Sequence, residues 1–325
     1  MTAGPSTLTV VICTHNRVEL LLRTLDYLNA CRYPQGWQVQ ALVVANACSD
    51  DTIQCLTRFH KEAADGLSLT WIEEPVPGKS NALNSAIPKI QSDLVAFVDD
   101  DHRVDRDYLV HICRTADTYP EADLFCGRIL PDWDGTEPDW VHDTGPFRMY
   151  PLPVPRFDQG DEPKVLGLGT AIPGGGNLFL RTKWLGYVGN FSADYGPNGH
   201  NLGGAEDLEW VKRALRMGAR LQYVPEVLQY HYVDLKRLTL TYVLKKAFLR
   251  SASTVRLADD QHGAGVPAFM YRKIARYLFA ALFSGRWQVR RFYLVRSAAA
   301  LGEVQGYRRR RRDGLNKSGF QIPKC

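Results

Sequence analysis

The densest chemistry in the chain sits at Phe97-Val98-Asp99-Asp100-Asp101, where an apolar run of strand type ends in three consecutive carboxylates. The period of two along an extended strand predicts Asp99 and Asp101 on the same side of its tip. Paired carboxylates can hold a hard divalent cation, and such a cation neutralises phosphate oxygens. Acidic triplets are common on solvated loops, so the weight here comes from the position directly behind a buried-type strand. A second acidic pair, Glu206-Asp207 in Gly204-Ala-Glu-Asp207, opens a helical stretch. Taken alone it reads as ordinary complement to the helix dipole. The third candidate is His231, set between two tyrosines shortly after Pro225. An isolated histidine is usually a core or surface residue, yet an imidazole can also complete a carboxylate metal site.

These groups need elements to position them, and the first hundred residues supply a repeating pattern. Leu8 to Cys13 is a β-branched run followed by polar Thr14-His-Asn16, and the stretch Arg17 to Ala30 carries Leu21, Leu22, Leu25 and Leu28 at helical spacing. Val39 to Val44 predicts a second strand, Asn46 to Asp50 a polar loop with capping residues, and a helix follows to about Ala64. Leu67 to Ile72 is a third strand, Gly78 precedes a helical stretch from Lys79 to Ile90, and Leu94 to Val98 is a fourth strand. Four such units predict an α/β fold: a doubly wound, mostly parallel sheet with helices on both faces. Ligands of such sheets bind beyond the carboxyl ends of the strands, where Thr14–Asn16, Asn46–Asp50 and Asp99–Asp101 all fall. From Pro131 to Gly176 the chain is rich in Pro, Gly, Asp and Trp and reads as long loops around an acceptor site. A strand at Asn177–Leu180, a helix at Asp207–Arg216 closed by Gly218 and a strand at Leu221–Val224 follow, and there is no internal repeat.

Of the 325 residues 45% are hydrophobic and 23% charged, enough to bury a core and too apolar for a disordered chain. The net charge of +5 hides an asymmetry. Up to Asp234 there are 20 Lys and Arg against 31 Asp and Glu, whereas from Leu235 onward there are 20 against 4. That basic third reads as helical, over 238–255, 268–283 and 290–301, and ends in the run Arg308 to Arg312. A basic segment of this size meets an anionic partner. No helix-turn-helix, zinc-finger or RNA-recognition signature accompanies the arginines, so nucleic acid is not expected. The mix of apolar and basic residues suits an anionic membrane surface, and a basic helical bundle packed on its own domain is the competing reading. No apolar run reaches the roughly 20 residues a membrane-spanning helix needs. The seven cysteines are irregularly spaced with no C-x-x-C pair, which excludes the usual zinc and redox motifs and suits a reducing compartment. The segment Met1 to Thr9 has neither a basic nor a long apolar region, so a secretory leader is not expected.

Seven segments in order now carry a resemblance: Val10-Val-Ile-Cys-Thr-His-Asn16, Asn46-Ala-Cys-Ser-Asp-Asp-Thr52, Gly78-Lys-Ser-Asn-Ala-Leu-Asn84, Asp99-Asp-Asp101, Gly174-Gly-Gly-Asn177, Gly204-Ala-Glu-Asp207 and His231. Each is loose, but together, over about Leu8 to Arg256, they resemble a family 2 glycosyltransferase of the inverting, GT-A type. The resemblance implies a nucleotide-sugar-binding half over 1–130, an acceptor-binding and catalytic half over 131–235, and a helical basic region over 236–325. It implies donor contacts from Cys13, Thr14, His15, Asn46, Lys79, Asn84, Asp99 and Asp100, with Gly175, Gly176 and Asn177 shaping the sugar and acceptor pocket. Asn46 stands where relatives usually have an Asp, which leaves the identity of the base open, with a UDP-sugar as the leading donor. Asp50 corresponds to a loop-closing residue. Asp101, with His231 and Asp99, would hold Mn²⁺ or Mg²⁺, and Asp207, with Glu206 beside it, would be the base acting on an acceptor hydroxyl. The implied product is a cell-surface polysaccharide or glycolipid, made from a saccharide or lipid-linked acceptor in the cytoplasm or at the inner face of the plasma membrane. A nucleotidyltransferase would need a Gly-rich basic loop after strand one, which Thr14-His-Asn16 does not provide. A nucleotide-sugar-binding module without catalysis is disfavoured by the presence of Asp99, Asp101 and Asp207 together.

Overall fold

The N-terminal β-branched run forms β1 (Ser6–Thr14), and strand alternation splits its side chains between two hydrophobic layers. Leu8, Val10 and Ile12 join one layer and Val11 the other. The structure, a computed structural model, describes residues 5–62, 66–149, 152–192, 206–257 and 265–318. The chain continues through α1 (Val18–Asn29), β2 (Trp37–Asn46), α2 (Thr52–Glu62), β3 (Ser68–Glu74), α3 (Lys79–Ala86), β4 (Leu94–Phe97), β5 (His102–Val104), α4 (Tyr108–Thr118) and β6 (Leu124–Asp132). It then forms β7 (Lys164–Leu166), β8 (Leu178–Arg181), α5 (Lys183–Val188), α6 (Glu206–Arg216) and β9 (Leu221–Tyr232), and ends in α7 (Leu240–Leu257), α8 (Phe269–Phe283) and α9 (Trp287–Ser318).

Residues 1–132 and 155–232 form one compact unit, and 133–154 with 233–325 form a second. In the first unit the strands lie in the order β3-β2-β1-β4-β8-β6-β9-β5, with β7 paired to β9. The expected doubly wound parallel sheet is present from β3 to β4, where every pairing is parallel. It becomes mixed beyond β4, because β8 runs antiparallel to both β4 and β6. One face is covered by the stripe Leu21, Leu25 and Leu28 of α1 and by Tyr108, Leu109 and Ile112 of α4. The other packs Ala82, Leu83 and Ala86 of α3, Trp184 and Leu185 of α5, and Trp210 and Val211 of α6. Each fully buried aliphatic side chain contributes about 1.5–3 kcal/mol. After β1 the chain moves outward to β2 and β3, then returns to place β4 on the opposite side of β1. The order therefore reverses between β1 and β4, opening a crevice beyond their carboxyl ends. Two non-glycine residues with positive φ stand just past strand ends there, Asn16 at 51° and Ala47 at 48°.

In the second unit α7 and α9 pack backbone to backbone. A Cβ on Gly302 would lie 2.1 Å from the Phe248 carbonyl oxygen, and one on Gly306 would lie 2.6 Å from that of Ala252. Two glycines four residues apart thus let one face of α9 close directly onto α7. Met270 of α8 packs with Ala300 and Val304 of α9, and Lys273 pairs with Glu303 at 2.8 Å.

Candidate active site

Strand β4 ends at Phe97, so the alternation expected to align Asp99 with Asp101 stops before it reaches them. The three carboxylates occupy a turn, closed by the His102 N–H on the Asp99 carbonyl at 3.2 Å. They consequently point in different directions. Asp99 meets the Lys79 ammonium at 2.9 Å. Asp100 accepts from the Thr14 hydroxyl at 2.7 Å and from Arg17 at 2.7 Å, while Asp101 takes the other guanidinium nitrogen at 2.7 Å. Asp99 and Asp101 still converge, but around His102, whose Nε2 lies 3.8 Å from one and 3.9 Å from the other. The turn thus brings them together, through a residue that strand periodicity does not single out.

Asp207 lies in the first turn of α6, whose start carries three acidic residues and whose last turn carries Arg213 and Arg216, in keeping with the helix dipole. Its Oδ2 accepts from the Gly175 N–H at 3.0 Å and from Lys79 at 3.3 Å. Lys79 therefore bridges Asp99 and Asp207. Burial works against its charge, but Asp207 and Asp99 together hold its pKa well above the ordinary range. Lys79 begins α3 after Gly78, whose φ of 129° only glycine adopts readily and whose N–H donates to Asn46 Oδ1 at 2.8 Å. Cys13 lines the same small cleft with Lys79, Asp99, Gly175 and Asp207, and burial pushes its thiol up to about 12. Gly175 and Gly176 are there for room. A Cβ on the first would sit 2.4 Å from the Asp207 carboxylate, and one on the second 2.6 Å from Asp99 and 2.8 Å from the His102 ring. Glu206 is buried behind its neighbour, and burial together with Asp207 raises its pKa.

His231 comes to this site through the sheet: β5 and β9 pair antiparallel with His102 directly opposite His231. The two rings lie 4.9 Å apart, and His231 Nε2 is 3.6 Å from Asp101 Oδ2. Donor atoms of Asp101, His102 and His231 all fall within 4.8 Å of one another. The outer hydrogen bonds set both tautomers. His231 Nδ1 donates to the Tyr232 carbonyl at 2.6 Å, and His102 Nδ1 donates to Gln229 Oε1. The Gln229 amide is itself oriented by donating to Tyr108 at 2.6 Å and to Asn177 at 3.1 Å. Each ring therefore presents an Nε2 lone pair. His102 Nε2 is buried without a hydrogen-bond partner among the described residues, the signature of a polar atom waiting for something outside the chain. Burial lowers the His231 pKa, which keeps that ring neutral and able to ligate. Burial raises the Asp101 carboxyl, but the charged groups around it, Arg17 among them, hold it below its usual value, whereas burial takes Asp100 up to about 6 against the pull of Arg17. One carboxylate and two imidazoles are a fitting donor set for a divalent cation.

Other predicted residues have tasks at the margin of the cleft. His15 Nδ1 bonds the Asn46 carbonyl at 2.7 Å. Asn46 donates to the Glu74 and Val76 carbonyls at 3.1 and 2.7 Å, so its amide fastens the loop beyond β3 to the start of α3. Asn84 exchanges two hydrogen bonds with the Phe191 backbone, at 2.8 and 2.9 Å, and is not brought into the cleft. Asp50 accepts from the Thr52 and Val18 N–H groups at 3.3 Å each and closes its loop. Asn177, 1% exposed, lies beneath the site, donating to the Arg128 and Val227 carbonyls at 3.0 and 2.9 Å. Gly204 and Ala205 lie outside the described residues. His102, Arg17 and Gln229 are the site residues that sequence reasoning missed. His102 adjoins the acidic triplet and Arg17 follows the β1 tip, but neither has a spacing that sets it apart from a surface residue.

Comparison with known proteins identifies the family and the fold. Residues 9–188 match the profile of the glycosyl transferase family 2. The succinoglycan biosynthesis protein ExoM of Rhizobium meliloti is 25% identical over 254 residues, 78% of this chain and 75% of that protein. A beta-monoglucosyldiacylglycerol synthase of Trichormus variabilis is 27% identical over 103 residues, 32% of this chain and 22% of that longer enzyme. Among solved structures, S. aureus TarS superposes with a TM-score of 0.51 at 17% identity over 86% of this chain, which spans only 44% of TarS. Its fragment 1–349 in complex with UDP gives 0.52 at 16% identity, covering 98% and 94% of the two chains. The mannosyltransferase PcManGT from Pyrobaculum calidifontis, in complex with GDP-Man and Mn²⁺, gives 0.54 at 19% identity, covering 92% and 88%. At these identities the structural likeness is one of fold. The profile match, spanning more than half of the chain, carries the assignment, and the chain belongs to glycosyl transferase family 2.

Proposed function

We propose that this glycosyltransferase moves a sugar from a nucleotide-sugar, with UDP as the leading nucleotide, onto an acceptor hydroxyl with inversion at the anomeric carbon. The observation that carries the reading is the convergence of Asp207, Lys79 and Asp99 in one cleft. A single in-line displacement needs a base on the acceptor side and positive charge on the leaving side. Among the described residues both hydrogen bonds to Asp207 fall on Oδ2, so Oδ1 is the atom that would take the acceptor proton. Lys79 fixes that carboxylate and brings an ammonium beside the place where diphosphate charge would develop. Asp101, His102 and His231 would hold a divalent ion, which supplies further charge neutralisation when bound. Two imidazole ligands favour Mn²⁺ over Mg²⁺, which prefers oxygen donors and its own water. Neighbours in fold that bind UDP and GDP-Man, one of them with Mn²⁺, support a nucleotide-sugar donor.

The relatives in succinoglycan and glucosyldiacylglycerol synthesis support a saccharide or lipid-linked acceptor, in surface polysaccharide or glycolipid synthesis. We place the reaction at the cytoplasmic membrane face. On α8 the side chains of Phe279, Leu282 and Phe283 are 64–72% exposed beside exposed Arg272 and Arg276, a pattern suited to lying in an anionic interface. No helix among the described residues is long and apolar enough to cross a membrane.

The test is Asp207→Asn, read with UDP-, GDP- and dTDP-sugars, with Mn²⁺ or EDTA. Nucleoside diphosphate release by the native chain should need the metal and fall by about 10²–10⁴-fold in the variant, while calorimetric donor binding stays near native. Release at the native rate in the variant removes Asp207 as the base, and release unaffected by EDTA removes the metal.

A further inference from the structure

Helix α1 holds the acidic turn at two points. The Arg17 carbonyl accepts from the Leu21 N–H at 3.0 Å, so Arg17 opens the helix. Its guanidinium spans two adjacent carboxylates, Asp100 Oδ1 and Asp101 Oδ2, at 2.7 Å each. Further along the same face, the buried Thr24 hydroxyl donates to the Asp100 and His102 carbonyls at 3.1 and 2.9 Å. A cation at the start of a helix opposes the helix dipole, and no side-chain hydrogen bond caps this end. The position is therefore unfavourable for α1 itself, and the compensation lies in the two carboxylates that the arginine joins. They are 6% and 8% exposed and would repel each other, and one planar guanidinium can meet both at once.

The arginine treats its two partners differently. Asp100 has both oxygens engaged by the chain, one by Arg17 and the other by the Thr14 hydroxyl at 2.7 Å. Asp101 gives the guanidinium only Oδ2, and its oxygens also lie 3.9 Å from His102 Nε2 and 3.6 Å from His231 Nε2. The donor atoms that gather within 4.8 Å are those of Asp101, His102 and His231, and Asp100 is not among them. The sequence thus offers three consecutive carboxylates, and Arg17 with Thr14 turns the middle one away. The distinction matters chemically. One carboxylate with two imidazoles suits Mn²⁺, whereas each further carboxylate moves a site toward the oxygen-rich shell that Mg²⁺ prefers.

We infer that Arg17 is a positioning residue that sets both the affinity and the selectivity of the cation site: its guanidinium orients Asp101 toward His102 and His231 and keeps Asp100 from joining them. The inference rests on Asp101, His102 and His231 being the cation ligands, and it gives Arg17 no contact with the reacting atoms.

The full chain and its Arg17→Met variant are titrated calorimetrically with Mn²⁺ and with Mg²⁺, and free Mn²⁺ is followed in parallel by its electron paramagnetic resonance signal. Removing the hydrogen-bond partner of a ligating carboxylate costs about 10–100-fold in metal affinity, so Mn²⁺ should bind the variant about ten-fold or more weakly. Mg²⁺ should lose less, because the released Asp100 adds an oxygen donor, and the ratio of the two affinities should narrow. Arg17→Lys should not restore the native values, since an ammonium is a point charge and does not bridge two carboxylates; full recovery with lysine overturns the bridging role. Where Arg17→Met does not fold, Arg17→Met with Asp100→Asn removes the released carboxylate, and its Mn²⁺ affinity should stay low while the ratio returns toward native. Native Mn²⁺ affinity in a folded form of either methionine variant, or an equal loss for both metals in the single one, overturns the inference. A native chain that binds no Mn²⁺ removes the cation site itself and this inference with it, so the native titration tells the two failures apart.

Discussion

Replacing Gly175 by alanine adds one methyl group and tests how closely the base is positioned. The new Cβ would stand 2.4–2.5 Å from the three terminal atoms of the Asp207 carboxylate, whereas ordinary contact begins near 3.4 Å. Something must move by about 1 Å. Asp207 is buried and its Oδ2 is shared by the Gly175 N–H and Lys79, so neither the carboxylate nor the loop can retreat without losing one of those bonds. A displacement of about 1 Å at a reacting group costs about 10²-fold in rate, equivalent to about 2.7 kcal/mol of transition-state free energy. Because Gly175 has no positive-φ requirement, the fold should survive the change. The assay is nucleoside diphosphate release with the donor identified for the native chain, alongside donor affinity by calorimetry and the circular dichroism melt. Gly186→Ala on α5, where an added Cβ meets nothing within 4 Å, is the control and should leave the rate unchanged. A Gly175→Ala protein that is folded, binds donor and turns over within about three-fold of native would refute the placement of the base.

Three further outcomes follow from the same geometry. His102→Ala should weaken Mn²⁺ binding by about ten-fold or more in calorimetry, and native affinity would take His102 out of the metal site. Lys79→Met leaves two carboxylates facing each other and should cost about 1–2 kcal/mol in urea unfolding at pH 7, a figure discounted because Asp99 is 35% exposed. Burial raises and Lys79 overcomes that rise in Asp99, holding it well below the usual carboxylate range. Its contribution is therefore present above the ordinary carboxylate pKa of about 4 and lost as the pH falls further, so the gap between native and variant should close in that range. A gap that widens there would contradict the pairing. Asn177→Leu strands the Arg128 and Val227 carbonyls and the Gln229 amide beneath the site, and should lower unfolding free energy by about 3 kcal/mol; a loss below about 1 kcal/mol would show that the buried network is dispensable.

The sequence by itself determined the parallel half of the fold. Each of Leu8–Cys13, Val39–Val44, Leu67–Ile72 and Leu94–Val98 is a short apolar run closed by turn residues, and the stripe Leu21, Leu25, Leu28 can bury only one way against them. The chemistry-bearing tips were legible too, because strand order and the polar residues after each strand are local properties. β6 and β5 were not legible: Leu124–Asp132 gains its identity from β8 and β9 on either side, and His102–Val104 is too short to show a period. The glycine pair that lets α9 close on α7 is likewise a fact about a partner helix and not about its own segment. What the tertiary structure alone decided is which groups meet. Asp101 and His231 are 130 residues apart in a chain numbered by sequence, and only the β5–β9 pairing puts His102 opposite His231 and both beside Asp101. Lys79 and Asp207 belong to different helices, and their contact at 3.3 Å exists because α3 and α6 cover the same face of one sheet. Local pattern encodes elements and their polar ends, whereas a site of converging side chains is a property of distances that no window along the chain contains.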